Sequence, residues 1–420
     1  MSLSSPEDVN ITTGTSLVLS AARISRNTSN PFIRGIFKSS KIKAGIIGTG
    51  FIGPAHVEAV RRLGFVDMVA LCEKGDELAR QKADQLFIPK AYGNLDALLA
   101  DPEIEVVHNC TPNNLHFPIT KRLIEAGKHI VSEKPLAMTA VESRELVRLA
   151  KAKGIVHAID FNYRYYPLVQ EAKAMVASGK VGDVFHANGS YTQDWLYLPT
   201  DWSWRLEPET SGESRAVADI GSHWLDCIQF VSGRRITRVY GHLHTIHKER
   251  MRPKKEVETY SGKLLTASDY EPAKIGTEDY ATVLFEFDNG AVGSFSVSQC
   301  FAGRKNRLFY ELSGSKCSVV WDQERPNELQ IGYREKANEI LLKDPSLLSD
   351  AARPYAHFPG GHPEAYPDGL KNFVWRVYSY ISEPRPEVDF STFEDGHNEM
   401  AICEAVMESA RLREWVQPAY

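Results

Sequence analysis

The stretch KAGIIGTGFIGPAHVEAVRRLG, residues 43–64, decides how the first part of this chain is read. Its apolar opening has the length and β-branched content of a buried strand, and Pro54 marks the first turn of a helix. Between them stands GTGFIG, residues 48–53, a complete G-x-G-x-x-G. In that context Gly48 permits the tight turn, Gly50 lets backbone approach a pyrophosphate, and Gly53 lets helix and strand pack closely. Phe51 and Ile52 are the inner positions of the same loop, and the helix start aims its N–H donors at the anion. A ligand-free glycine turn would look the same in isolation, so the flanking elements carry the weight. The next strand, VDMVALCE, ends on Glu73, placed to accept hydrogen bonds from the adenosine ribose. A carboxylate there repels a 2′-phosphate, so NAD is expected in preference to NADP, with the neighbouring Lys74 acting against that preference.

Outward from this unit the pattern repeats. DELARQKADQL is an amphipathic helix, IEVVHNC a buried strand, LHFPITKRLIEAG a helix closed by Gly127, HIVSE another strand, and AVESRELVRLAKAKG a third long helix leading to IVHAIDFNY. This alternation predicts a doubly wound parallel sheet with helices on both faces over residues 41–163. After Tyr163 the rhythm changes. Two helices, PLVQEAKAMVASG and GSHWLDCIQFVSG, and strands separated by short turns such as DNG predict an α+β domain over residues 164–420 built on an antiparallel sheet. Residues 247–277 are polar and proline-containing and read as a long loop or partner-contacting insertion. Residues 1–40 read as an amino-terminal extension; from Ile11 to Lys41 they lack acids and carry Ser, Thr, Asn and Arg, a bias shared with transit peptides, but no amphipathic period runs through them.

Composition narrows the function classes. A net charge of -5 leaves no broad basic surface for phosphate backbones, so nucleic acid is not an expected partner. No apolar run approaches the roughly 20 residues needed to cross a bilayer. The six cysteines have neither metal-type spacing nor the density of a disulfide scaffold, so no metal is expected and a reducing cytoplasm is.

Ligands of a doubly wound sheet bind outside the carboxyl ends of its strands. Two segments fall there. TPNNLH brings Thr111, Pro112, Asn114 and His116 toward the nicotinamide side, and EKP brings Glu133 and Lys134, whose pairing stops at Pro135. In the second domain ADIGSHW sets Asp219 four residues before His223, one face if helical. The pair is open to two readings: a helix-capping Asp beside a structural His, or a carboxylate that raises imidazole basicity for removal of an alcohol proton.

The combination GIIGTGFIG, CTPNNLH, EKPLA, FNYRYYP and DIGSHWLD, in this order, closely resembles the glucose-fructose oxidoreductase, inositol dehydrogenase and MocA family, over residues 41 to about 415. The resemblance implies a Rossmann domain followed by an open-faced antiparallel sheet used in oligomerisation, hence a homodimer or homotetramer. It places the family's catalytic lysine, aspartate and histidine on Lys134, Asp219 and His223, which also contact substrate. It implies NAD-dependent hydride transfer on a CH–OH group, while relatives that hydrolyse glycosides through transient oxidation, and non-catalytic sensors on the same fold, share the fingerprint. For substrate, Trp195, Trp202, Trp204 and Arg205 lie just before the pair, and aromatic faces with planar donors suit a neutral polyhydroxylated ring such as a sugar or cyclitol. The same tryptophans would serve a core or a subunit contact. Arg164, and His362 with Tyr366, are further pocket candidates.

Overall fold

The structure, a computed structural model, describes residues 40–255 and 266–420. The amino-terminal arm, residues 1–39, and the centre of the polar insertion lie outside the described residues.

Residues 40–420 form one compact unit holding two large sheets. The first contains β1 (Ile42–Ile47), β2 (Val66–Cys72), β3 (Lys90–Tyr92), β4 (Val106–Asn109), β5 (His129–Ser132) and β6 (His157–Ile159), all parallel, in the order β3-β2-β1-β4-β5-β6. The order reverses at β1, so β1 and β4 diverge toward opposite edges and leave a crevice at their carboxyl ends, where ligands of such sheets bind. Apart from the short edge strand β3, the strands read as near-continuous apolar runs because both faces are covered. Their covers are α1 (Gly53–Arg61), α2 (Asp76–Gln85), α3 (Leu95–Leu99), α4 (Asn113–Glu125) and α5 (Ala140–Lys153). Local chemistry sets the helix ends. Thr139 caps α5 by accepting from Glu142 N at 3.2 Å, and Gly154 ends it in the left-handed region at φ 69°.

The second sheet has eight strands. β7 (Val184–Thr192) and β8 (Ile236–His244) are joined by β11 (Tyr280–Phe287), β12 (Val292–Ser298), β13 (Arg307–Gly314), β14 (Ser318–Asp322), β15 (Glu328–Gly332) and β16 (Glu339–Leu342), in the order β16-β15-β14-β13-β7-β12-β11-β8. Every pair is antiparallel except β7 with β12. The expected antiparallel sheet is present, and the one parallel pair, β7 with β12, is not encoded by alternation within a strand, because pairing direction is a property of two distant segments. Three further helices, α6 (Pro167–Ala177), the short α7 (Pro208–Ser211) and α8 (Ser222–Ser232), follow the first sheet, and α9 (Tyr366–Ser382) and α10 (Phe393–Leu412) end the chain.

The polar insertion is not a plain loop. β9 (Glu249–Pro253) and β10 (Tyr270–Lys274) form a two-stranded antiparallel ribbon. It escapes detection by pattern because ERMRP and YEPAK pair only with each other and bury no continuous apolar face.

Two packing contacts place the site. Trp224, fully buried on α8, stacks on Phe295 with centroids 4.5 Å apart and donates Nε1 to Phe309 O at 2.8 Å. Gly189 leaves room for that indole, since a Cβ there would sit 2.5 Å from Trp224 Nε1. His223 is therefore held by its neighbour's insertion into the sheet. On the other side, Phe373, Val374, Val377 and Tyr378 of α9 share a core with Val57 and Val60 of α1, so the first sheet's cover comes from both ends of the sequence.

Candidate active site

The glycine loop is built for close approach. Gly48 has φ 83°, and a Cβ there would lie 2.7 Å from Cys110 O, so the β1 turn is pressed against the end of β4. A Cβ on Gly53 would lie 2.5 Å from Gly48 O, inside the turn itself. Gly50 is different: its Cβ would meet nothing within 4 Å. Space is thus kept free at the one loop position where a ligand's phosphates would approach backbone, and the residues present fit a dinucleotide. Phe51 is exposed beside it and Ile52 precedes α1. Glu73 stands at the β2 tip, where its Oε1 accepts from Thr49 N at 2.6 Å and Thr49 Oγ1 at 2.7 Å. One carboxylate oxygen therefore fixes the loop, leaving Oε2 outside those bonds.

At the β4 end, Thr111 donates its hydroxyl to Asn109 Oδ1 at 2.7 Å, Pro112 precedes α4, and Asn114 is exposed in the first turn of that helix. His116 does not face the crevice. It is buried, with its ring nitrogens 2.5 Å from Pro135 O and 2.7 Å from Thr111 O, and so ties the two strand-end loops together. Glu133 also points inward. Its Oε1 lies 2.9 Å from His56 Nε2, which is 3.6 Å from Asp160 Oδ2. These three could hold a metal ion by proximity alone, but 2.9 Å is an imidazole–carboxylate hydrogen-bond distance, and the cluster is completed by His56 Nδ1 at 2.9 Å from His108 Nδ1. Burial opposes charge on His56, yet Cys110, Asp160 and Glu133 together hold its pKa well above the ordinary value. Burial and the charge of Glu133 raise Asp160, whereas His56 and Lys134 keep Glu133 low against burial. Neither His56 nor Asp160 was anticipated from sequence, although Asp160, at the tip of β6, could have been found by the same strand-end rule as Glu73.

Lys134 and Asp219 meet. Lys134 Nζ donates to Asp219 Oδ1 at 2.9 Å and to Asp219 O at 2.8 Å, joining the first sheet to the π-helical turn Val217–Gly221 that leads into α8. Arg205 Nε donates to the same Oδ1 at 3.2 Å, and Gln299 Nε2 to Oδ2 at 2.8 Å. Burial would raise the Asp219 pKa, but Lys134 and Arg205 outweigh it and hold the carboxyl well below the usual range. The expected carboxylate–imidazole bond is not formed: the Asp219 oxygens go to Lys134, Arg205 and Gln299, and His223 Nδ1 is buried with no hydrogen-bond partner. The imidazole is held by rings instead, with Phe161, Tyr163 and Tyr191 at 5.8, 5.1 and 6.3 Å between centroids. Burial, aided by the Lys134 charge and opposed by Glu133 and Asp219, lowers its pKa to about 3, so it is neutral near pH 7.

The aromatic candidates divide. Arg205 lies over Trp204 at 4.4 Å and over Trp195 at 5.9 Å, which places those indoles on the Asp219 side. Trp202 packs with Leu196, Leu206 and Ile275. Arg164 is corrected as a pocket residue: Nε donates to Asp226 Oδ2 at 2.8 Å and Nη2 to Asp226 Oδ1 and to Asp395, so its guanidinium is consumed in a buried ion cluster between α8 and α10. His362 is exposed, its carbonyl accepting from Lys343 Nζ at 2.8 Å. Tyr366 is half-buried, and burial, with Asp160 and Glu133 nearby, raises its phenol pKa well above the ordinary value.

Comparison with known proteins resolves the family. Residues 42–161 match the oxidoreductase-family model with an NAD-binding Rossmann fold, and residues 169–320 match the GFO/IDH/MocA C-terminal domain. Levoglucosan dehydrogenase of Pseudarthrobacter phenanthrenivorans is 30% identical over 386 residues, covering 89% of this chain and 97% of that protein. The chain belongs to the GFO/IDH/MocA oxidoreductase family. It is an NAD-dependent oxidoreductase that transfers hydride at a CH–OH carbon. Among solved structures, levoglucosan dehydrogenase in complex with NADH and levoglucosan has a TM-score of 0.81 at 28% identity, spanning 91% of this oxidoreductase and 100% of that chain. An oxidoreductase domain protein from Kribbella flavida has a TM-score of 0.81 at 32% identity, over 91% and 100%. No helix among the described residues is long and apolar enough to cross a membrane.

The neutral imidazole sets a sign for acid sensitivity. With an ordinary pKa of 6.5 and a folded value of about 3, His223 takes up a proton more readily when unfolded, so stability fully present above pH 6.5 is lost as pH falls toward 3. Chemical denaturation at pH 7 and pH 5 should show His223→Gln losing about 2 kcal/mol less than the parental chain over that interval. Equal losses would show that His223 does not titrate in this way.

Proposed function

We propose that Lys134, Asp219 and His223 carry the reaction, and that the substrate is a neutral sugar or cyclitol ring oxidised at a secondary hydroxyl. The observation that carries this reading is the Lys134–Asp219 contact at 2.9 Å, formed between the nucleotide-binding sheet and the helix that presents a neutral His223. The loop from Gly48 to Gly53, Glu73 near the ribose and Thr111, Pro112 and Asn114 near the nicotinamide would hold NAD, which would supply the hydride acceptor. His223 accepts the hydroxyl proton. Lys134 donates a hydrogen bond to the same oxygen and stabilises the charge that develops there. Asp219 holds the ammonium in place and, together with Arg205, keeps the local charge near one net positive, enough to favour an alkoxide without building a phosphate clamp. Trp204 and Arg205 form a stacking wall for the ring. The similarity to levoglucosan dehydrogenase supports an anhydro-sugar or related neutral ring.

The same reading divides the chain into a nucleotide-binding part, residues 41–163, and a substrate and assembly part, residues 164–420, in the cytoplasm. Exposed Phe185, Leu284 and Val292 on β7, β11 and β12 support a homodimer or homotetramer built on the open sheet face. Light scattering should give a mass at least twice the 47.1 kDa of the chain, and a monomer at micromolar concentration would refute this assembly.

The direct test is NADH absorbance with a panel of levoglucosan, myo-inositol and free aldoses. Net NADH formation supports the dehydrogenase, whereas cleavage of a glycoside without net NADH would replace it by hydrolysis through transient oxidation. On a substrate so found, Lys134→Ala and His223→Ala should each lower kcat by about a hundredfold or more while the NADH dissociation constant stays close to parental. Near-parental turnover in both would remove them from the chemistry. Glu73→Ser should narrow the preference for NADH over NADPH in fluorescence titrations, because the 2′-phosphate no longer meets a carboxylate. An unchanged ratio would place the discrimination elsewhere.

A further inference from the structure

Behind the cleft lies a buried ionic cluster with no part in the proton and hydride transfers. Asp279, just before β11, is fully buried, and one of its oxygens accepts from two guanidinium groups, Arg215 Nη2 and, at 2.8 Å, Arg250 Nη2. Its other oxygen accepts from Ile246 N and His247 N at 2.8 and 3.0 Å. Both arginine side chains are fully buried. Two desolvated cations on one carboxylate are costly unless their remaining donors are satisfied, so the destinations of those donors are informative.

Arg215 Nε donates to Thr277 Oγ1 at 3.1 Å and Arg250 Nε has no hydrogen-bond partner among the described residues, but the Nη donors run outward to the site. Arg250, on β9, donates Nη2 to Leu196 O at 2.8 Å and Nη1 to Leu198 O at 2.8 Å and Asp201 O at 3.4 Å. These carbonyls belong to the segment that carries Trp195, Trp204 and Arg205. Arg215 donates Nη1 to Gln299 Oε1 at 3.2 Å, and Gln299 in turn donates Nε2 to Asp219 Oδ2 at 2.8 Å. Backbone bonds reinforce the link: Met251 N reaches Pro199 O at 2.9 Å, and Asp219 N reaches Arg215 O at 2.8 Å. A single carboxylate is thus the common origin of two arms, one ending on the aromatic segment and one on the carboxylate beneath Lys134.

We propose that Asp279, with Arg215 and Arg250, is the positioning centre of the substrate site: Arg250 sets the aromatic segment's distance from Asp219, and Arg215, through Gln299, sets the plane of the Asp219 carboxylate. This rests on the reading of Trp204 and Arg205 as the substrate wall. Because Arg250 grips main-chain carbonyls, it fixes where the wall stands whatever side chains it displays. The ribbon β9–β10 then has a role, as the support from which Arg250 reaches inward.

The test separates the two arms. Arg250→Met keeps the apolar stem and leaves Arg215 and Asp279 as a matched pair, so it removes charge without stranding any. With the panel sugar that reduces NAD, it should raise KM for the sugar by about tenfold or more, with kcat within about threefold and KM for NAD unchanged. Gln299→Leu should do the reverse, lowering kcat by about tenfold with little change in KM. Without any substrate, acrylamide should quench tryptophan fluorescence more strongly in Arg250→Met than in the parental chain, and not in Gln299→Leu. Parental KM and quenching in Arg250→Met, or a fall in kcat alone, would overturn the Arg250 arm; parental kcat in Gln299→Leu would overturn the other. If Arg250→Met does not fold, Arg250→Lys keeps the charge but cannot span three carbonyls, and is expected to show the same KM and quenching changes. If no panel sugar reduces NAD in the parental chain, the proposed function fails, and quenching by itself decides the Arg250 arm.

Discussion

One contact, Lys134 Nζ on Asp219 Oδ1 at 2.9 Å across 85 residues of sequence, joins the nucleotide-binding sheet to the π-helical turn that leads into α8. The electrostatics of the cleft follow from it. With Lys134 and Arg205 both on Asp219, the carboxylate stays ionised despite burial. The ammonium in turn adds to the burial that keeps His223 neutral. A neutral imidazole and a fixed cation in a partly desolvated space suit the proposed loss of a hydroxyl proton as hydride departs.

Each partner of this contact is backed by a second layer. Behind Lys134, Glu133 turns away from the cleft to His56, and His56 passes the hydrogen-bond chain through His108 to Tyr378 OH on α9 at 2.8 Å. Behind Asp219 stands Gln299 and then the Arg215–Asp279–Arg250 cluster. Buried charge persists only where it is paired, and most of the polar atoms in these layers are bonded, with Arg250 Nε and Asp160 Oδ1 left without a hydrogen-bond partner among the described residues.

Much of the fold was legible because it rests on local rules. The alternation of apolar runs and amphipathic helices up to Tyr163 follows from burial of parallel strands on both faces, and β1, β2, β4, β5 and β6 appear where those runs are, whereas the three-residue edge strand β3, KAY, has no apolar run to mark it. GTGFIG was readable because each glycine answers to a steric condition inside one turn, as the 2.5 Å approach at Gly53 shows. The ribbon β9–β10 and the parallel pairing of β7 with β12 were not legible, since neither leaves a periodic trace within its own segment.

The site divides in the same way. Sequence by itself determined which chemical groups are available and on which element ends they sit: Lys134 and Glu73 at strand tips, Asp219 and His223 one turn apart. Only the tertiary structure decided their partners. It gave Asp219 to Lys134, Arg205 and Gln299 in place of His223, turned Glu133 and His116 into internal braces, and removed Arg164 to a buried cluster with Asp226 and Asp395. The reason is physical. A side chain's position along an element is set by neighbours a few residues away, whereas its charge state and hydrogen-bond partner are set by whatever the fold brings within about 3 Å, from any distance along the chain.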